Sequence, residues 1–215
     1  MRPGFRFRLP VFLLALGVAL PALTFEYPLS PTAIRDAYFF GKRHTSTTAA
    51  PFKEYTHYLP AGQSATRVQS ISLETPFVQV AERSGSAFNY YAQDAEQEFT
   101  DKELPFRVLV TVDLSGAYTP PKNSRPNFLG FPLPDLCRAF DVQLVQDKTI
   151  PEESRSIYLL YSDASTSVTG FGGVTGAVLE LDYDAEAIDS ADTTIRVGTP
   201  DGQHVETDFD LTQLR

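Results

Sequence analysis

Between Phe106 and Leu114 the chain reads FRVLVTVDL, and this run limits the fold more than any other. Successive side chains of a strand point to opposite faces. Phe106, Val108, Val110, Val112 and Leu114 therefore share one face, and Arg107, Leu109, Thr111 and Asp113 share the other. A strand with one apolar face needs partners to enclose it. Phe140, Val142 and Leu144 repeat the alternation, as do Ile157, Leu159 and Tyr161, while Lys53 to Leu59, Arg67 to Leu73 and Phe77 to Glu82 carry it more weakly. In the last third, Ala177 to Tyr183 reads as a strand and the acidic stretch Asp184 to Asp192 as a turn or one helical turn. Thr194 to Thr199 and His204 to Asp210 flank Pro200-Asp201-Gly202, where proline presets one φ and glycine accepts a positive one. About nine short strands result.

Two segments have helical spacing instead. Ser30 is a good N-cap, Pro31 suits the first helical position, Ala33, Ile34, Ala37 and Tyr38 form an apolar stripe, and Gly41 reads as a left-handed stop. Phe88, Tyr91, Ala92, Ala95 and Phe99 form the second stripe, with Ser86 as its start. Strands without a helix between each neighbouring pair argue for antiparallel pairing. The expected fold is mainly β: an antiparallel β-sandwich or open barrel with an N-terminal helix and one inserted helix. Residues 45–51 read as a polar linker, and the proline-rich interval Tyr118 to Pro134 is too long for a tight turn.

The N-terminus has a different character. Arg2, Arg6 and Arg8 precede an uncharged apolar run from Leu9 to Leu23, followed by Thr24, and no acidic residue occurs before Glu26. That order is the order of a secretory signal peptide, shorter than the roughly 20 residues a spanning helix needs. The expected organisation is a signal peptide at 1–24 cut after Ala22 or Thr24, an N-terminal helix and linker at 25–50, and one β-rich domain at 51–215. An uncleaved membrane anchor is the alternative. The chain is then exported, to the periplasm or beyond. Its formal charge of −9 becomes about −12 once three arginines leave with the signal, and so acidic a domain repels nucleic acid and anionic lipid. Sixteen Phe and ten Tyr, with no Trp, are the material for the core, and the lone Cys137 offers no internal disulfide and reads as a buried apolar residue.

Several constellations invite chemistry. Thr169 to Gly176 reads TGFGGVTG, but it runs into a strand and not a helix, so a glycine-rich hairpin or bulge is expected and not a phosphate loop. Glu180, Asp182 and Asp184 alternate along one strand face and are candidate calcium ligands, with a solvated acidic face as the plainer alternative and no EF-hand spacing in support. No other cofactor is indicated. His44, His57 and His204 share no zinc-ligand spacing, no Gly-x-Ser-x-Gly elbow occurs, and Ser84 reads as turn chemistry. Tyr90, Tyr91, Phe128 and Phe131 would either fill the core or form an aromatic groove for sugars or peptides.

The segment Tyr27 to Gly41, YPLSPTAIRDAYFFG, resembles the start of a group of uncharacterised exported bacterial proteins, in which a Leu-Ser-x-x-x-Ile-Arg-x-Ala-Tyr-Phe run follows the signal peptide. The tail Pro200 to Leu214, with PDGQ and DFDLTQL, is similar to theirs as well. The resemblance implies bacterial export and carries over no catalytic residue.

Three functions fit these features: an exported binding or envelope-associated structural module, with a cell-envelope protein or polysaccharide as partner; an extracytoplasmic hydrolase using carboxylates; and a calcium-stabilised adhesion domain. Nucleic acid is not expected as a partner, and a membrane only if the signal segment stays uncleaved.

Overall fold

The computed structural model describes residues 25–43, 52–60, 65–114, 138–161 and 174–215. The signal segment, the linker, the proline-rich interval, His44, Cys137, Phe128 and Phe131 lie outside these residues, as does Thr169 to Gly173. In chain order the elements are α1 (Pro31–Arg43), β1 (Thr56–Tyr58), β2 (Thr66–Glu74), α2 (Pro76–Ser86), α3 (Ala92–Phe99), β3 (Phe106–Leu114), β4 (Asp141–Val145), β5 (Thr149–Ile150), β6 (Glu152–Tyr161), β7 (Val174–Tyr183), β8 (Asp192–Gly198) and β9 (His204–Asp210). Five strands form one sheet in the order β1-β2-β3-β7-β6, and four form a second in the order β5-β4-β8-β9. Every pairing is antiparallel. The expected mainly β, two-sheet antiparallel architecture is the observed one.

β3 is the middle strand of the larger sheet and alternates buried and half-buried residues along its whole length. Phe106, Val108, Val110 and Val112 are fully enclosed. They share one core with Ile71 and Leu73 of β2, Leu179 and Leu181 of β7, and Val142, Leu144, Ile195, Val197 and Phe209 from the smaller sheet. Burying each such side chain contributes roughly 1.5–3 kcal/mol, so this inter-sheet layer supplies most of the driving force. Phe25 closes one end, its ring edge-on to Phe106 at 5.6 Å and its N–H donating to the Leu211 carbonyl.

The helices form a second core. Ile34, Ala37 and Tyr38 of α1 meet Phe77, Val80 and Ala81 of α2 and Ala95 and Phe99 of α3, with Leu104 beneath. The N-terminal helix is thus joined to the body through α2 and α3.

Four local expectations are corrected. Phe77 to Glu82 is helical, because Thr75 Oγ1 accepts from the Val78 N–H at 3.3 Å and Pro76 takes the first position, and a capped start overrides a short ambiguous apolar run. A second inserted helix is the result. The stripe from Phe88 shrinks to α3: Phe88 is 95% exposed, Asn89 has φ +51°, and the helix begins where Asp94 Oδ2 accepts from the Tyr91 N–H at 2.8 Å. Ser86 ends α2 and does not start α3. Gly41 does not stop α1, which continues to Arg43. Its role is steric, since a Cβ there would sit 2.0 Å from the Ala81 carbonyl oxygen of α2.

The Pro200-Asp201-Gly202 turn is formed as read, with Gly202 at φ +84° and its N–H donating to Thr199. Asp201 also ties the hairpin tip to the larger sheet by accepting from Thr66 Oγ1 at 2.7 Å. The segment after β7 is a 3-10 turn, Ala185–Ala187.

Candidate functional site

Antiparallel register sets four polar residues in a row across the outward face of the larger sheet. Glu74 of β2 lies opposite Arg107 of β3, Arg107 opposite Asp182 of β7, and Asp182 opposite Ser154 of β6. Arg107 Nε bonds Asp182 Oδ1 at 2.8 Å, and its terminal nitrogens reach Glu180 at 3.1 Å and Glu74 at 3.5 Å. Ser154 Oγ donates to the other Asp182 oxygen at 3.0 Å. A planar guanidinium with several donors suits such a fan of carboxylates. One cation nevertheless serves three anions, with Glu82 of α2 adding a fourth charge nearby. Burial pushes the Glu74 carboxyl up to about 7, helped by repulsion from Glu82 and opposed by Arg107. Burial also raises Glu82.

Two clefts flank this row. One, about 450 Å³, opens between sheet and helices and has mixed charge, with Glu74, Glu82, Arg83, Glu98, Lys102 and Arg107 among its walls. The other, about 410 Å³, lies at the start of β6 and the end of β7. Glu103, Glu153, Asp182, Asp184 and Glu186 line it beside Tyr27, Leu104 and Pro105, and among the described residues no lysine or arginine is in its walls. Tyr27 is held above its ordinary pKa, first by burial and then by Glu103, Glu186, Asp184 and Glu153.

The calcium candidates are divided between Arg107 and the turn after β7, although Asp182 and Asp184 both line the acidic cleft. Glu180 and Asp182 both turn to Arg107, whereas Asp184 lies past the strand, where its Oδ1 accepts from the Glu186 N–H at 2.9 Å and caps the 3-10 turn. Among the described residues no group of three or more His, Cys, Asp or Glu is placed to hold a metal ion. His57 stacks edge-on against Phe209 at 4.5 Å, and His204 sits opposite Gly198, so the two mark different ends of β9. Ser84 is no turn residue. It is buried inside α2 and donates back to the Val80 carbonyl at 2.7 Å. Tyr90 donates to Glu98 at 2.8 Å and belongs to the helical core, while Tyr91 is exposed. Within the described part of the glycine-rich segment, Leu160 pairs with Gly176 and Tyr161 with Val174, which leaves a bulge at Thr175. A Cβ at Gly176 would meet the Val112 carbonyl oxygen at 2.4 Å, so this glycine serves close strand approach.

Sequence reading missed the edge. β6 pairs with β7 on one side, and no described strand lies on its other side. Its far half presents Tyr158 at 56%, Leu160 at 37% and Tyr161 at 50% exposure, while Ile157 and Leu159 pack toward the core. The signal was the run IYLLY, apolar on both faces of a strand whose first half is charged. Alternation identifies the faces of a strand but not its neighbours. The other edge, β1, has only three residues, with Tyr58 exposed.

Set against known proteins, the chain matches no family model, no curated protein and no solved structure. No described helix is long and apolar enough to cross a membrane.

Proposed function

We propose that the chain is an exported bacterial binding module that takes a protein partner along the edge of β6. The observation that carries this reading is the ten-residue edge strand with Tyr158, Leu160 and Tyr161 turned to solvent. Protein edges of this length are ordinarily shortened, charged or covered, because unpaired backbone groups beside apolar side chains recruit another strand. Pairing by strand addition draws affinity from the main chain and selectivity from alternate side chains. The apolar run at Leu9 to Leu23 and the resemblance at Tyr27 to Gly41 support placement outside the cytoplasm. Because Glu180 and Asp182 already satisfy Arg107, they favour a binding module over a calcium-stabilised adhesion domain.

Selection from a display library of random decapeptides tests the reading. The natural chain is expected to enrich a family of extended, apolar-alternating peptides, and the Tyr158→Asp/Leu160→Asp variant to lose them. Equal enrichment by both proteins, or none by either, would refute it.

A carboxylate hydrolase is the second reading, favoured by one observation. Glu74, held near 7, and Asp182, ion-paired to Arg107, stand in one row across the sheet, so a carboxyl able to carry a proton and an ion-paired carboxylate lie side by side with Arg107. Cleavage of an envelope polysaccharide that disappears in Glu74→Gln would shift the conclusion to it.

A further inference from the structure

We infer that the mixed-charge cleft between α2, α3 and the larger sheet is a binding site for a small zwitterion, an ammonium and a carboxylate joined by an apolar body. The inference goes beyond the β6 reading and stands or falls without it.

Three parts of the fold build the cleft. Gln79, Glu82, Arg83 and Ser86 recur at helical spacing, so α2 turns them to one face, while Phe77, Val80, Ala81 and Ser84 on its other face are buried. Glu74 and Arg107 enter from the strands, and Glu98, Phe99 and Lys102 from the end of α3 and just past it. At about 450 Å³ the space is that of a small-molecule site.

Bonds within the walls decide which groups are left for a ligand. Glu98 is engaged twice, accepting from the Tyr90 hydroxyl at 2.8 Å and pairing with Arg83 at 3.6 Å. Arg107 is shared among Glu74, Glu180 and Asp182. Gln79 donates its amide to the backbone carbonyls of Glu74 and Pro105, at 3.1 and 2.7 Å, which ties α2 to the end of β2 and the entry to β3. Neither Glu82 nor Lys102 belongs to an ion pair among the described residues. Lys102 Nζ lies over the Phe99 ring at 5.1 Å. Glu82 stands close enough to Glu74 that its charge is the second cause, after burial, of the raised Glu74 carboxyl.

The groups left over therefore differ in sign. An ammonium set beside Glu82 and Glu74 offsets the repulsion between those carboxylates, whereas an anion in that place adds to it. A carboxylate beside Lys102 meets the one cation of the described walls that stands outside an ion pair. Phe99 and Leu104 are the apolar part of the lining, and a hydrocarbon body lies against them. An ion of a single sign would satisfy only one of the two ends.

Calorimetric titration of the natural chain with leucine and with ε-aminocaproate, two zwitterions that differ in charge separation, tests the inference. At least one is expected to bind and to raise the melting temperature, because a ligand held only by the folded state stabilises it. Blocking either charge of that compound, as its amide or its N-acetyl derivative, is expected to weaken binding about tenfold, the size of a lost hydrogen bond to a charged group. Glu82→Gln is expected to lower affinity for the zwitterion by a similar factor. Lys102→Gln is expected to bind the zwitterion and its amide alike, since the group that reads the carboxylate is gone. Each position keeps part of its surface in solvent, so circular dichroism of both variants should match the natural chain. Absence of binding by either zwitterion, equal binding of the blocked derivatives by the natural chain, or discrimination against the amide that persists in Lys102→Gln would overturn the inference.

Discussion

Glu74 shows at the scale of one residue how the row across the sheet is balanced. Its carboxyl rises from 4.5 to about 7 in the folded chain, because burial and the neighbouring Glu82 outweigh Arg107. The folded state therefore holds a proton that the unfolded state releases near 4.5. That contribution is fully present below 4.5 and is lost as pH rises through 7, so stability falls with pH across this window. Glu82, also raised, acts in the same sense. The loss from Glu74 alone is on the order of 3 kcal/mol. Melting temperature is expected to drop between pH 5 and pH 8, and Glu74→Gln to flatten that drop and to melt higher than the natural chain at pH 8. Parallel melting curves for the two proteins across that range would show that Glu74 does not carry the proton. The identities of Glu180 and Asp182 as a paired acidic face were legible in the sequence. Their common partner was not, because Arg107 lies some 75 residues away and meets them only through the β3–β7 register.

Among the elements, α1 and α2 cross where a backbone replaces a side chain. Gly41 lies against the Ala81 carbonyl, and Gly85 faces Gly41 in turn, with a Cβ there 3.2 Å from the Gly41 oxygen. Gly41→Ala gains helix propensity of about 1 kcal/mol, yet its methyl would have to push the two helices apart. Overpacking of this kind typically costs about 1–3 kcal/mol, and contact with rigid backbone puts this site at the upper end. Urea unfolding is expected to show a net loss of about 1–2 kcal/mol, whereas a gain would place the helix crossing elsewhere. The local patterns explain why some elements could be read and others could not. β3 alternates over nine residues without interruption, so one period fits and the other does not. Phe77 to Glu82 has too few residues to separate the two periods, and what decides it is Thr75-Pro76, a cap lying just outside the run. Gly41 was read by its commonest use at helix ends, while its actual use depends on a helix forty residues later.

At the scale of the whole molecule, the described strands of the larger sheet leave the ten-residue β6 at one edge, with an acidic cleft at its start. The sandwich itself was legible, because alternating Phe, Val and Leu at Phe106–Leu114, Phe140–Leu144 and Ala177–Tyr183 can be satisfied only by a shared interior. Which strand would stand at the edge was not, since strand order is a property of pairing between distant segments and an apolar run such as IYLLY suits an inner strand equally well. The account as a whole rests on β6 having a described strand on one side alone while β3 has one on both. Amide hydrogen exchange resolved to single residues measures that difference. In the free protein, amides of residues 106–114 are expected to exchange only through global unfolding, while alternate amides of residues 157–161 exchange orders of magnitude faster and slow when an enriched peptide binds. Uniform protection of residues 157–161 equal to that of β3 in the free protein would contradict the account.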